Sequence, residues 1–438
     1  DLFQFSKNSF MDITLNDEQQ QALDRVVHLI RDEKEPQVSL RGYAGTGKTT
    51  LLRFIIQELQ PDFKEVYLAA PTHKAATVLR NKTNRDVRTV HSLFRLRPVR
   101  DRKGDYKFVP SKANSPDFNG RTLLVVDEAS MIPEEVYDEV QKACLKNPLY
   151  VVFCGDPEQL PPVNESESEA LFQGGPMLEN IVRQEKGNPI IQASMHVRKG
   201  GVIEFETEKK GGRGVHRLKS RQDLVQEAVE LFDRDAYKEN PSFARIIAYR
   251  NDTVDVYNEI LRECVYGKER SASEDFIPGE WLVANAPWKD GGYGLNAVGP
   301  PIIQNSEEVV VLDKEPSQLR GFDTWVLEVA SSPSSKNTRF VETLQKSEER
   351  RFEQKLENLK QKALKVSKLW SKYYRLKEAF ADLSYNFAVT AHKSQGSTFQ
   401  NAFVDVEDLV TCPNPHEIKR LLYVATTRAA SNLFVFQG

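Results

Sequence analysis

The sequence predicts an α/β protein of two doubly wound parallel-sheet lobes, each interrupted by an insertion. Apolar strands alternate with amphipathic helical segments between Gln37 and Phe153, the pattern of a parallel sheet covered by helices. A second strand, polar turn and helix follow from Phe243 to Arg262, in keeping with another sheet of the same kind. At 438 residues the chain is also too long for one ordinary core.

Composition narrows the class without naming a partner. No apolar run is long enough to cross a bilayer, so no membrane span is expected. Net charge is −3, so any nucleic-acid surface must be a local groove rather than a basic protein. Cys144, Cys154, Cys264 and Cys412 form no C-x-x-C pair, which argues against a zinc site and fits a reducing, cytoplasmic location. Residues 1–10 lack the basic-then-apolar order of a signal peptide and are read as an extension preceding Met11.

Taken in order, the first element is a helix from Leu15, with Asn16 or Asp17 as N-cap and Ala22, Leu23, Val26, Val27 and Ile30 on one face. Gln19, near its start, offers an amide that either is solvated or pairs with an adenine edge. The strand Gln37-Val38-Ser39-Leu40 then leads into Gly42-Tyr43-Ala44-Gly45-Thr46-Gly47-Lys48-Thr49, which matches G-x-x-x-x-G-K-[ST] at every fixed position and runs into a helix from Thr50. This predicts a nucleoside triphosphate site. Gly42, Gly45, Thr46, Gly47 and Thr50 form the cradle, Lys48 reaches the β- and γ-phosphates, and the Thr49 hydroxyl ligates Mg²⁺.

Two polar strand-to-helix turns follow, Pro71-Thr72-His73 and Thr89-Val90-His91-Ser92. In an open parallel sheet such turns lie at the carboxyl ends of strands, where ligands bind, although either histidine could equally serve as a structural cap. Residues 96–119 break the pattern and are expected to form an insertion. Within it, Arg97 to Val109 reads as a basic hairpin turning at Lys103-Gly104-Asp105, either a surface excursion or a wedge with Phe108 near its tip.

Arg121 to Glu128 is a buried strand ending in two carboxylates. Asp127 is assigned to the Mg²⁺ shell and Glu128 to polarising the attacking water. A third strand, Leu149 to Gly155, ends in Asp156-Pro157-Glu158-Gln159, where Gln159 could sense the γ-phosphate.

This ordered set resembles the superfamily 1 DNA helicases. Gln19, the phosphate loop, Ala70-Pro71-Thr72-His73, Thr89-Val90-His91-Ser92, Val125-Val126-Asp127-Glu128 and Gly155-Asp156-Pro157-Glu158-Gln159-Leu160 look like that family's N-terminal motifs, in its order. Leu178 to Gln184 resembles the segment carrying the first arginine finger, Arg183. Val389 to Ser397 is similar to the fifth motif and Leu421 to Ala429 to the sixth. The compact size and the hairpin look most like the RecD-like and Dda-like branch, 1B. The resemblance implies RecA-like lobes and 5′-to-3′ movement on single-stranded DNA. It also implies Arg183 and Arg428 as charge compensators for the γ-phosphate, with Gly396 near the nucleotide. DNA contacts are expected from Thr72, His73, Thr89, His91 and Ser92 in the first lobe, and from Thr390, His392, Lys393 and Gln395 in the second.

Between the halves, short strands at 278–283, 301–312 and 324–329 suggest a small β-barrel, whose family counterpart is SH3-like. From Glu348 to Leu383 apolar residues recur every three or four positions among lysines, a long or bent helix with one apolar packing stripe.

The expected lobes are 11–95 with 120–177 and 178–270 with 386–438, carrying insertions at 96–119 and 271–385. The expected activity is ATP- and Mg²⁺-dependent unwinding of tailed duplex DNA by a monomer, with 271–385 available to replication or repair proteins. Two alternatives remain, an ATP-switched clamp that strips proteins from single strands and a small-molecule phosphotransferase.

Overall fold

The computed structural model describes residues 14–100, 106–110, 118, 120–182, 187–200, 207–289 and 301–438. They divide in sequence between Ile191 and Gln192 into two compact units.

The first unit contains β1 (Gln37–Gly42), β2 (Glu65–Ala70), β3 (Val87–Thr89), β4 (Leu96–Arg100), β5 (Tyr106–Pro110), β6 (Thr122–Val126), β7 (Leu149–Gly155) and β8 (Met177–Leu178). All but β4 and β5 pair in parallel, in the order β3-β2-β6-β7-β1-β8. The central strands are apolar at nearly every position because helices cover both faces. In β6, Leu123 and Val125 pack beneath the helices Asp17–Arg31, Lys48–Leu59 and His73–Thr83. The alternate residues Leu124 and Val126 pack against Val136, Tyr137 and Val140 of the helix Glu134–Lys146.

Asn16, rather than Asp17, caps the first helix. Its side chain accepts from the Gln19 backbone at 2.8 Å while Gln19 Oε1 accepts from the Asn16 backbone at 3.1 Å, a reciprocal box that satisfies two otherwise orphaned donors.

Two sequence expectations need correction here. Leu178, expected to open the second lobe, pairs with Gly42 at the edge of the first sheet, and the first unit continues to Ile191. A two-residue edge strand leaves no strand-length apolar run to read. Phe108, expected near the hairpin tip, pairs with Pro98 in mid-ladder, between Leu96↔Pro110 at the base and Arg100↔Tyr106. Its half-buried ring joins the lobe core and lies 4.4 Å from the His91 ring. Alternate residues of a two-stranded ribbon face opposite ways, and Phe108 falls on the side the lobe covers. The turn at 103–105 and residues 1–10 lie outside the described residues.

The second unit contains β9 (Glu208–Lys210), β10 (Arg213–Leu218), β11 (Ala244–Ala248), β12 (Trp281–Ala284), β13 (Glu308–Leu319), β14 (Phe322–Ala330), β15 (Thr338–Leu344), β16 (Leu383–Tyr385), β17 (Ala388–Thr390), β18 (Phe399–Asp405) and β19 (Ala429–Phe436). A sheet of order β17-β11-β18-β19-β10-β9 is parallel except for β9. The insertion forms a five-stranded antiparallel sheet of order β15-β14-β13-β12-β16. No strand ladder joins β15 to β16 among the described residues, but Ala381, two residues before β16, donates to the Glu342 carbonyl of β15 at 2.8 Å and accepts from the Thr343 hydroxyl at 2.9 Å.

The lysine-rich stretch expected as one helix is two, Glu349–Lys365 and Trp370–Lys377, broken at Val366 and returning as β16. Its apolar stripe is a packing seam. Phe352, Leu356 and Leu359 meet Phe322, Leu376 and Phe380 at the far end of the β13–β14 ribbon, with the three phenylalanine rings edge to face at 5.4–5.9 Å.

A buried ion pair ties this insertion to its lobe. Arg262, on the helix Asn251–Tyr266, bonds Glu280 at 2.6 Å with both side chains fully buried, and it also donates to the Ser271 and Glu274 carbonyls. Breaking such a pair leaves an uncompensated buried charge, at a cost of roughly 3–5 kcal/mol.

Candidate functional site

The carboxyl ends of β6, β7 and β1, neighbours in the first sheet, bring the predicted nucleotide residues together. Gly45 and Gly47 adopt φ of +78° and +79°, the left-handed region that a side chain would strain. A Cβ on Gly47 would also lie 2.5 Å from Gln19 Nε2.

The helix that follows, Lys48–Leu59, has no side-chain cap, although Asn16, Thr72, Thr89 and Thr390 each cap their own helices. Its first-turn N–H groups therefore lack a side-chain acceptor at the positive end of the helix dipole, an arrangement suited to phosphate. Lys48 Nζ donates to the Gly42 and Tyr43 carbonyls at 2.7 and 2.9 Å and lies 3.9 Å from Asp156 Oδ2. Thr46 is buried and donates to the Tyr43 carbonyl, while Thr49 and Thr50 are half-buried beside it.

Gln19 takes a different part from an adenine-pairing side chain in this structure. Its amide is buried, with Oε1 in the capping box and Nε2 donating to the Thr46 carbonyl at 2.9 Å. It fastens the first helix to the phosphate loop.

Asp127 follows the end of β6, where burial first, and the neighbouring Glu128 charge second, push its carboxyl up to about 6. Its Oδ1 accepts from the Glu128 backbone at 3.0 Å. Glu128 itself holds a φ of +54°, a strained setting for a non-glycine residue of the kind that gathers at functional sites. The turn after it passes so close to β7 that a Cβ on Gly155 would meet the Ser130 backbone at 3.0 Å.

Gln159 is buried, and its Oε1 has no hydrogen-bond partner among the described residues. An orphaned buried acceptor is costly, and a water donating to it would relieve that cost. The uncapped helix start with Lys48 beside it is the feature of these residues that fits a nucleotide's phosphates. Among the described residues no group of three His, Cys, Asp or Glu side chains could hold a metal. A cation here would take Thr49 and Asp127 and complete its shell from phosphate and water, as Mg²⁺ commonly does.

The predicted DNA residues form two separate sets. In the first unit β2 and β3 are adjacent, so Thr72, His73, Thr89, His91 and Ser92 share one sheet end. Thr72 and Thr89 spend their hydroxyls on capping, accepting from Ala75 and Ser92 at 3.1 Å. Burial, and then the nearby His73, hold the His91 imidazole below its ordinary pKa.

In the second unit Thr390 caps the turn Ala391–Ser394, His392 Nε2 lies 3.1 Å from Glu417, and Lys393 reaches Asn285 at 2.9 Å. Gln395 is buried, and Gly396 takes φ +69°. The Arg428 guanidinium is buried against the Val424 and Ser397 carbonyls and the Thr427 hydroxyl. Arg183 lies outside the described residues.

The comparisons with known proteins agree with this geometry. Residues 14–219 match a family described as an AAA domain, and residues 385–436 match the UvrD-like helicase C-terminal domain. The ATP-dependent DNA helicase Dda of Enterobacteria phage T4 is 26% identical over 447 residues, spanning 96% of this chain and 98% of that one. The RecD2 helicase of Deinococcus radiodurans is 33% identical over 184 residues, 41% of this chain and 23% of that one. The two domain matches and these relatives together support a superfamily 1B helicase. The crystal structure of the Pif1 helicase from Candida albicans superposes with a TM-score of 0.49 at 18% identity, covering 97% of this chain and 95% of that one.

Two carboxylates escaped the sequence reading. Asp156, fully buried beside Lys48, carried a signal as the acidic residue directly after β7. Asp408 carried none. Burial alone would raise its carboxyl, but hydrogen bonds from the Arg250 backbone, Thr253, the Arg250 side chain and the Tyr249 backbone hold it below the usual range. Those bonds, at 2.7–2.9 Å, fix the turn after β11.

Proposed function

We propose that the chain is a Mg²⁺- and ATP-dependent motor that moves 5′ to 3′ on single-stranded DNA and separates tailed duplexes. The observation that carries this reading is the phosphate loop itself, with an uncapped helix start, Lys48 beside Asp156, and the unpartnered Gln159 Oε1 at the ends of adjacent strands. Dda, similar over nearly its whole length, bears the name of an ATP-dependent DNA helicase, which supports extending that activity to this chain.

Bound ATP supplies the phosphoryl group. Lys48 and the first-turn amides hold its phosphates, and Asp127 with Thr49 holds the cation. Glu128 takes the proton of the attacking water, which Gln159 orients through its free acceptor. The charge on the γ-phosphate is assigned to Arg183 and Arg428 from their sequence motifs. Contacts from Thr72, His73, Thr390, His392 and their neighbours go to phosphate and sugar, so little base preference is expected.

Steady-state hydrolysis with and without a short single strand tests the reading. The wild type should be stimulated several-fold by DNA. Lys48→Ala should lose turnover, and Gln159→Ala should lose on the order of 100-fold in kcat while still binding nucleotide. Unstimulated turnover in the wild type would return the chain to the phosphotransferase alternative.

A further inference from the structure

We propose that the helical pair Glu349–Lys365 and Trp370–Lys377 carries a second binding surface for single-stranded DNA, occupied by the strand that leaves the duplex; this rests on the helicase reading above. Between residues 360 and 377 the chain holds seven cations and no carboxylate. In a protein of net charge −3, that is a local concentration of charge. Lys362, Lys365, Lys368 and Lys372 are exposed and enter no ion pair among the described residues.

The inner face of the pair is spent on packing against Phe322 and Phe380. The opposite side leaves Leu364 and Val366 exposed, at 63% and 51%. On the second helix Trp370, Tyr373 and Tyr374, spaced to share one helix face, form a half-exposed cluster. The Trp370 and Tyr374 rings stack at 5.6 Å, and Tyr373 stands edge-on to both.

Lysines that act as point charges for phosphates, interleaved with aromatic faces, are the composition of a sequence-tolerant single-strand platform. A paired duplex would use the lysines but leave the rings idle, because its base faces are already stacked. An unpaired strand uses both. The surface lies on the insertion, outside the motifs assigned to the translocating strand.

The test compares two DNAs of identical duplex and 5′ tail, one carrying a non-complementary single-stranded second arm. The protein is the full chain, wild type or with Lys362→Ala, Lys365→Ala, Lys368→Ala and Lys372→Ala combined, all exposed substitutions. The second arm should tighten wild-type binding on the order of tenfold, from lysine–phosphate contacts together with one or two base–aromatic contacts. The variant should lose that gain, and its salt dependence on the forked DNA should fall by about 0.7 in slope per phosphate contact removed. Its hydrolysis stimulated by the tail alone should stay at the wild-type level, which separates failure here from failure of the motor reading. No gain from the second arm in the wild type, or a gain the variant retains, would overturn the proposal. An equal gain from a double-stranded second arm would overturn the assignment to a single strand.

Discussion

At the residue scale, Asp127, proposed above to hold the cation, works against the stability of the metal-free protein. Its carboxyl sits near 6 in the fold, against 3.8 for a freely solvated one, because burial and Glu128 disfavour the charged form. A raised carboxyl pKa means that the folded state holds a proton the unfolded state has lost. Stability is therefore full below about pH 4, falls as pH rises from there to about 6, and stays reduced above. Asp127→Asn, which removes the charge and keeps the shape, should melt higher than the wild type at pH 7.5 in metal-free buffer, and the difference should vanish near pH 4. A wild type as stable as the variant at pH 7.5 would mean that Asp127 is not strained by its setting. Sequence made Asp127 and Lys48 legible because fixed spacing carried them. Asp408 was invisible because its role depends on which loop the second sheet brings to it, and no local pattern records that.

At the element scale, legibility followed length and period. The long buried strands and the capped first helix stood out, whereas β8, two residues long, and the break at Val366 did not. The hairpin was legible as an element but not in its orientation. Phe108 anchors its middle to the core beside His91, so the hairpin is braced next to a predicted DNA contact. Replacing residues 99–107 with a two-residue turn, which keeps Phe108, should preserve DNA-stimulated hydrolysis to within about twofold and reduce strand separation at least tenfold. Equal losses in both activities would show a structural role, and no loss in either would make the hairpin a surface excursion.

At the scale of the whole molecule, two units each build their own parallel sheet, and each presents Thr-capped turns with histidines at the carboxyl ends of its strands. The same local device thus appears in both units. Each half was recognisable from strand and helix alternation, and the insertion within the second unit was recognisable from its Gly/Pro turns. The most direct test is ATP-driven strand separation on two partial duplexes that differ only in carrying a 5′ or a 3′ single-stranded tail, with Lys48→Ala as control. Separation from the 5′-tailed duplex alone, lost in Lys48→Ala, is the predicted result. Separation from the 3′-tailed duplex alone would contradict the assigned direction, and hydrolysis stimulated by DNA with no separation of either duplex would contradict the claim that this chain unwinds DNA.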